Sequence, residues 1–179
     1  MVWLLVIFLI AFLAILFKWT RRAWLVFAGT PLLRICGVTI FVASVFVAMT
    51  AVGGGITLAT GVDKFPAEWR MGTRFSSYLI PGLILAIVVG GSATVAAVAT
   101  LHKPDAGALT SMLAGAIILG WLVGEGLILP PAAFPTRFSG LEAIYIAAGL
   151  MMLVPGLTAR RAERKRQFPP GSSLKNRVS

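Results

Sequence analysis

The stretch ICGVTIFVASVFVAMTAVGGGITLATGV, residues 35–62, contains no charged side chain. A helix needs about 20 predominantly apolar residues to cross the ~30 Å hydrocarbon core of a bilayer. This stretch is long enough to do so, and we predict a membrane-spanning helix over about 35–58.

The rest of the chain has the same apolar character. Of 179 residues, 58% are hydrophobic and 12% are charged, whereas soluble domains carry about 25% charged residues. The composition therefore predicts a membrane protein. The single Cys36 excludes an intramolecular disulfide, and one histidine with six acids argues against a dedicated metal site. We predict no metal and no cofactor.

Four further uncharged runs accompany the first one, at 1–17, 75–101, 106–124 and 143–159. In the run at 1–17 the first basic residue, Lys18, comes after the apolar part, which is the reverse of a secretory signal peptide. We therefore expect a retained helix. The fold class predicted is an all-α integral membrane protein with five transmembrane helices, because lipid requires every backbone polar group to be paired internally.

The chain divides into four predicted parts. Residues 1–22 form the N-terminal transmembrane helix, 23–34 an interfacial connector ended by Pro31, and 35–158 a four-helix transmembrane core. Residues 159–179 form a basic tail, which the sequence Pro-Pro-Gly-Ser-Ser predicts to be disordered.

Basic residues indicate the orientation. With the N-terminus outside and the C-terminus cytoplasmic, twelve of the sixteen lysines and arginines lie on the cytoplasmic side, as the positive-inside rule requires. Seven of the twelve belong to the tail, where they are expected to attract anionic lipid. No nucleic-acid-reading module accompanies this charge, so nucleic acid is not a predicted partner.

Charged and aromatic residues collect at the predicted outer end of the helices. Glu125 lies near the end of the fourth helix, and Glu142 opens the fifth. An unpaired charge on an apolar segment is unfavourable, so both acids should face inward and find partners. The candidate outer polar cluster comprises Glu68, Arg70, Arg74, Tyr78, Glu125, Arg137, Glu142 and Tyr145. It is interpreted either as an ion-pair clamp that holds the loop 61–76 on the bundle or as a polar pocket beneath that loop.

Small residues recur at helical spacing and predict close helix packing. Gly120 and Gly124 form a GxxxG pair, and Gly90 and Gly91 lie on the third helix. Such residues let helix backbones approach closely in lipid.

The outer loop carries a motif. It reads P-x-E-W-x-x-G-T-x-F over residues 66–75, followed by Y-L-I-P-G-L over residues 78–83. In this motif the chain resembles a group of small, uncharacterised bacterial four-helix membrane proteins over residues 33–158, to which it adds an N-terminal helix. Proteins of this group carry a motif that resembles W-x-V-x-Q on the fourth helix, with glutamine where this chain has Glu125. A second glutamine, near the start of their last helix, corresponds to Glu142. The resemblance implies a bacterial inner-membrane location and no established activity.

Three functions are compatible with these features. The first is a non-enzymatic membrane protein that acts as an accessory or structural subunit of a larger assembly. The second is a small transporter, channel or receptor with a pocket under the outer loop. The third is an enzyme acting on a lipid or quinone through Glu125 or Glu142, without any Ser, His or Cys arrangement to support it. The first is preferred, and no catalytic residue is predicted.

Overall fold

The structure, a computed structural model, describes residues 2–27, 29–61, 79–128 and 140–167, and in the first helix it describes side chains only from residue 14 on. Within these ranges the chain forms five helices and no strand. They are α1 (Val2–Val26), α2 (Pro31–Thr60), α3 (Leu79–Thr100), α4 (Pro104–Ile128) and α5 (Gly140–Gln167).

Four of the described segments are long and apolar enough to cross a membrane. They are Pro31–Thr60, Leu79–Thr100, Pro104–Leu127 and Glu142–Ala162. Aliphatic side chains that are more than half exposed lie on all four segments, among them Ile56, Ile87, Leu113 and Val154. Large exposed apolar surfaces are unusual on soluble monomers, whereas a bilayer solvates them. The all-helical class and the membrane-compatible helices are thus confirmed.

The helices run up and down, so that the bundle has two ends. Residues 27–30, the turn at 101–103 and the last turns of α5 lie at one end, called here the tail end. Gly61, Leu79, Ile128 and Gly140 lie at the other, the loop end, where the chain enters the segments 62–78 and 129–139. A buried cluster at the tail end joins α2, α4 and α5 through Cys36, Ile40, Ala108 and Ala159.

The connection between α1 and α2 is shorter than the predicted connector 23–34. Residues 23–26 complete α1, and α2 begins at Pro31 instead of at about residue 35. Thr30 caps α2, since its side chain accepts a hydrogen bond from the backbone N–H of Leu33. Proline is favoured in the first helical turn because its missing N–H has no intrahelical partner there. Pro31 therefore starts α2, and the connection ends before it instead of continuing to residue 34.

An aromatic side chain connects the end of α1 to α2. Phe27 is 1% exposed, and its ring lies over Gly37, where an added Cβ would fall 2.5 Å from the Phe27 Cδ2 atom. A larger residue at position 37 would displace the ring. The contact ties the end of α1 to the second turn of α2.

The last helix continues beyond its apolar part. The prediction of disorder from residue 159 is wrong for 159–167, which are helical. Ala159 is fully buried in the tail-end cluster, and the arginine, alanine, glutamate and lysine that follow are good helix formers. The remaining tail, 168–179, lies outside the described residues.

The third helix is not uniform. Its middle part, Leu85–Gly90, is wound as a π-helix between two α-helical parts, Leu79–Ile84 and Gly91–Thr100. The first part of α3 packs directly on α2 at two glycines. A Cβ at Gly55 would lie 2.6 Å from the Gly82 backbone oxygen, and a Cβ at Gly82 would lie 2.7 Å from the Gly55 backbone oxygen. The two helix backbones are therefore in direct contact near the loop end.

Candidate functional site

The structure describes only part of the predicted outer polar cluster. Five of its members, Glu68, Arg70, Arg74, Tyr78 and Arg137, lie outside the described residues. Glu125, Glu142 and Tyr145 are described, and all three are half-buried. The described part of the cluster thus belongs to α4 and α5, which pack extensively against each other.

Three close contacts define how α4 and α5 are aligned. They pair Ala108 with Gly156, Ser111 with Met152, and Gly115 with Gly149. The Ser111 hydroxyl donates a 2.8 Å hydrogen bond to the backbone oxygen of Met152. A Cβ at Gly115 would lie 2.8 Å from the backbone oxygen of Gly149. Residue numbers rise along α4 as they fall along α5, so the helices are antiparallel and closely apposed.

This alignment brings the two acids to the same end of the seam. Glu125 follows the buried Ile118 by seven residues, which returns to nearly the same helix face. Glu142 precedes Gly149 by seven residues, and Gly149 faces α4, since its added Cβ would lie 3.0 Å from Ile118 Cγ2. Measured from the contact of Gly115 with Gly149, Glu125 lies about one helical turn further toward the loop end than Glu142 does. Each of the two facing helices thus carries one carboxylate close to its loop end.

Tyr145 connects this pair to a third helix. It lies three residues after Glu142, on the same side of α5. Its ring lies 6.3 Å from the ring of Phe46 on α2, at an interplanar angle of 41°. This separation is within the range of favourable tilted aromatic pairs. Tyr145 also packs against the central buried cluster, so it continues the core up to the level of the acids.

The chemistry of the pair is that of two acceptors at a helix–helix seam. Ionised carboxylates accept hydrogen bonds and pair with cations, and both Glu125 and Glu142 have interaction partners in the structure. Glu142 lies in the first turn of α5, where the helix dipole favours a negative charge by ~0.3–1 kcal/mol. Among the described residues no group of three or more His, Cys, Asp or Glu side chains could hold a metal ion. The pair is suited to bind a cationic group, such as an arginine.

The predicted packing glycines differ in their surroundings. A Cβ at Gly90 would lie 2.6 Å from Val52 Cγ2, so Gly90 is at a close helix contact. Gly91, Gly120 and Gly124 face no described atom within 4 Å of an added Cβ. Within the described chain, the glycines of α4 that meet a neighbouring helix closely are Gly107 and Gly115.

Three polar features were not singled out from the sequence. Ser44 is completely buried in α2, and its hydroxyl has no hydrogen-bond partner among the described residues. Ser111, also fully buried, links α4 to α5. The Cys36 sulfur lies 3.3 Å from the Thr158 hydroxyl, which joins α2 to α5. Ser111 could have been found from its spacing, since it precedes Glu125 by two heptads, whereas the partners of Ser44 and Cys36 depend on tertiary structure.

Comparison with protein-family models, with curated proteins and with solved structures gives no match.

Proposed function

We propose that the chain is a non-enzymatic integral membrane protein that serves as an accessory or structural subunit of a larger membrane assembly. Its partners under this proposal are membrane lipids and a second membrane protein. The proposal includes five spans, with α1 as the first, an outer N-terminus and a cytoplasmic C-terminus. The bias of basic residues toward the tail end supports this orientation.

The location proposed is the bacterial inner membrane. Its support is the resemblance of the loop motif at residues 66–83 to small bacterial four-helix membrane proteins. The four apolar helices of the described chain are compatible with that location.

The observation that carries the proposal is the tight packing of the described bundle. Backbone meets backbone at Gly55 and Gly82 between α2 and α3, and at Gly115 and Gly149 between α4 and α5. The buried polar side chains of the described core are Ser44, Thr100 and Ser111. Contacts of this kind hold helices together in lipid, and they favour a rigid structural unit over a hydrated passage.

The test maps the outer surface by photo-crosslinking in intact cells. A photoreactive amino acid is placed singly at exposed aliphatic positions, one per helix face: Ile56, Ile87, Leu113 and Val154. The expected result is that one face gives an adduct with a second protein of one defined mass, in a constant ratio to the amount of this chain. The other faces should crosslink to lipid. Adducts with lipid alone at all four positions, or with a second copy of the chain alone, would contradict the accessory role.

A second candidate function is a small transporter, channel or receptor with a polar pocket under the outer loop 61–76. The observation that favours it is that Glu125 and Glu142 both lie near the loop end of the seam between α4 and α5, within about one helical turn of each other. Under this alternative, Glu125→Gln and Glu142→Gln abolish uptake or ligand binding while the thermal unfolding midpoint is retained. Under the clamp interpretation the same variants lower the midpoint, and the loop becomes more sensitive to protease.

A further inference from the structure

A groove between α1 and α2 opens on the outside of the bundle. Four residues of α1 and three of α2 line it, at helical spacing on each helix: Phe17, Thr20, Arg21, Trp24, Ile35, Val38 and Thr39. Its volume is about 300 Å³, at the lower end of the range for ligand pockets. Phe17 and Ile35 are more than half exposed, so the groove is accessible from the side.

The groove has an apolar part and a cationic part. Trp24 and Ile35 lie close to the turn at the tail end, while Phe17 and Thr39 lie deeper along the helices. Arg21 lies on the α1 wall between Trp24 and Phe17, about 6 Å along the axis from Phe17. The groove is therefore apolar along most of its length, with Arg21 on its wall close to the bundle end.

A second arginine borders the same end of the groove. The guanidinium carbon of Arg34 lies 5.7 Å from the centre of a Trp24 ring, a cation–π distance. The Arg34 Nε atom is buried and has no hydrogen-bond partner among the described residues. Arg34 on α2 thus contacts Trp24, and Arg21 on the groove wall lies about one helical turn before Trp24 on α1.

The two helices that form the groove supply no acid to these arginines. The sequence contains no aspartate or glutamate before Asp63, so neither α1 nor α2 contributes a carboxylate. An uncompensated positive charge at a membrane boundary attracts anions, and guanidinium groups bind phosphate in bidentate fashion. The missing counter-charge must come from outside these two helices.

We propose that the groove between α1 and α2 binds one anionic phospholipid. Arg21 and Arg34 bind its phosphate at the tail end, and one acyl chain lies in the groove against Phe17, Trp24 and Val38. An anionic phospholipid fits this groove because its acyl chain matches the apolar lining and its negative headgroup matches the arginines. Membrane insertion is required for this site, whereas a protein partner is not.

The test measures lipid contact at Trp24. A full-length variant that keeps Trp24 as its only tryptophan is placed in phosphatidylcholine nanodiscs containing a minor fraction of brominated lipid, either phosphatidylglycerol or phosphatidylcholine with the same chains. Bromine quenches tryptophan at close range. We expect stronger quenching by brominated phosphatidylglycerol. We also expect its apparent affinity to fall about fivefold in Arg21→Gln and about 25-fold in Arg21→Gln with Arg34→Gln, since each basic group near a membrane contributes ~1 kcal/mol.

The matched control removes the same charge elsewhere. Arg164 and Lys165 are exposed on α5, and their double change to glutamine should leave the quenching at Trp24 unchanged. Native mass spectrometry of the wild-type chain provides a second readout that needs no tryptophan substitution. It should show one phosphatidylglycerol retained preferentially over phosphatidylcholine, and loss of that lipid in the double arginine variant.

Four results would overturn the proposal. Equal quenching by both lipids would indicate boundary lipid without a site, and an equal effect of the control variant would indicate general electrostatic attraction. Competition by soluble glycerol phosphate at comparable concentration would indicate a free phosphate ligand. Absence of quenching by either lipid would mean that the groove is closed to lipid, either by residues of the same chain or by a second copy of it. None of these results bears on the accessory role, which the surface crosslinks test separately.

Discussion

The three consecutive glycines of α2 allow one packing contact to be isolated. Gly55→Ala would place a methyl group 2.6 Å from the backbone oxygen of Gly82 and 2.7 Å from the backbone nitrogen of Ala86. Backbone atoms cannot rotate away as a flexible side chain does, so α2 and α3 would have to separate. Gly53→Ala, two residues earlier in the same helix, meets no heavy atom within 4 Å.

The two variants share one contribution to the free energy of unfolding and differ in a second one. Replacing glycine by alanine within a helix adds ~0.5–1 kcal/mol of stability in either case. Overpacking costs typically ~1–3 kcal/mol and applies only to Gly55→Ala. The free energy of unfolding of Gly55→Ala should therefore be lower than that of Gly53→Ala by about 1–3 kcal/mol, because the helix-propensity terms cancel.

The assay is equilibrium unfolding in mixed micelles, with sodium dodecyl sulfate as denaturant and far-ultraviolet circular dichroism as the signal. Gly54→Ala serves as a second control, since its nearest neighbour is a Leu85 side-chain carbon at an ordinary contact distance of 3.9 Å. Equal unfolding free energies for Gly55→Ala and Gly53→Ala would refute the direct contact of α2 with α3.

Three further predictions use the same unfolding assay. Gly115→Ala should be less stable than Gly120→Ala by about 1–3 kcal/mol, because an added Cβ at 115 meets α5 backbone at 2.8 Å and one at 120 meets open space; equal stabilities would contradict the seam between α4 and α5. Ser111→Ala should destabilise by ~0.6–1.7 kcal/mol, whereas Ser44→Ala should be neutral or slightly stabilising because its buried hydroxyl has no partner among the described residues; the reverse order would disprove this assignment. Gly61→Ala should destabilise by roughly 1–2 kcal/mol, since Gly61 ends α2 with φ of 68°; an unchanged unfolding midpoint would show that this end of the helix does not limit stability.

Several features of the fold follow from the sequence because they depend on local composition. The uncharged run at residues 35–62 has to be helical in lipid, where every backbone polar group needs an internal partner. The same argument predicts α3, α4 and α5 within a few residues of their ends. The two helix boundaries that were predicted wrongly, the start of α2 and the end of α5, depend on capping and helix propensity instead of on hydropathy. Thr30 and Pro31 start a helix through capping, and the basic residues after Ala159 continue one.

The candidate site could be predicted in part. Hydropathy alone indicates that Glu125 and Glu142 belong to helix ends and should face inward. Their separation along the bundle depends on how α4 is aligned with α5, and that alignment is set by the Ser111 hydrogen bond and the glycine contacts. No periodicity within one helix specifies the register between two helices.

The sequence by itself determined the all-helical class and the approximate limits of the four apolar helices that are long enough to cross a membrane. These are properties of single segments in contact with a solvent, which hydropathy and charge describe directly. The tertiary structure decided which small residues carry the packing. Gly53, Gly54 and Gly55 are identical in composition, yet only Gly55 meets the backbone of another helix. That difference arises from the rotation and spacing of two helices relative to each other, which result from the packing of the whole bundle.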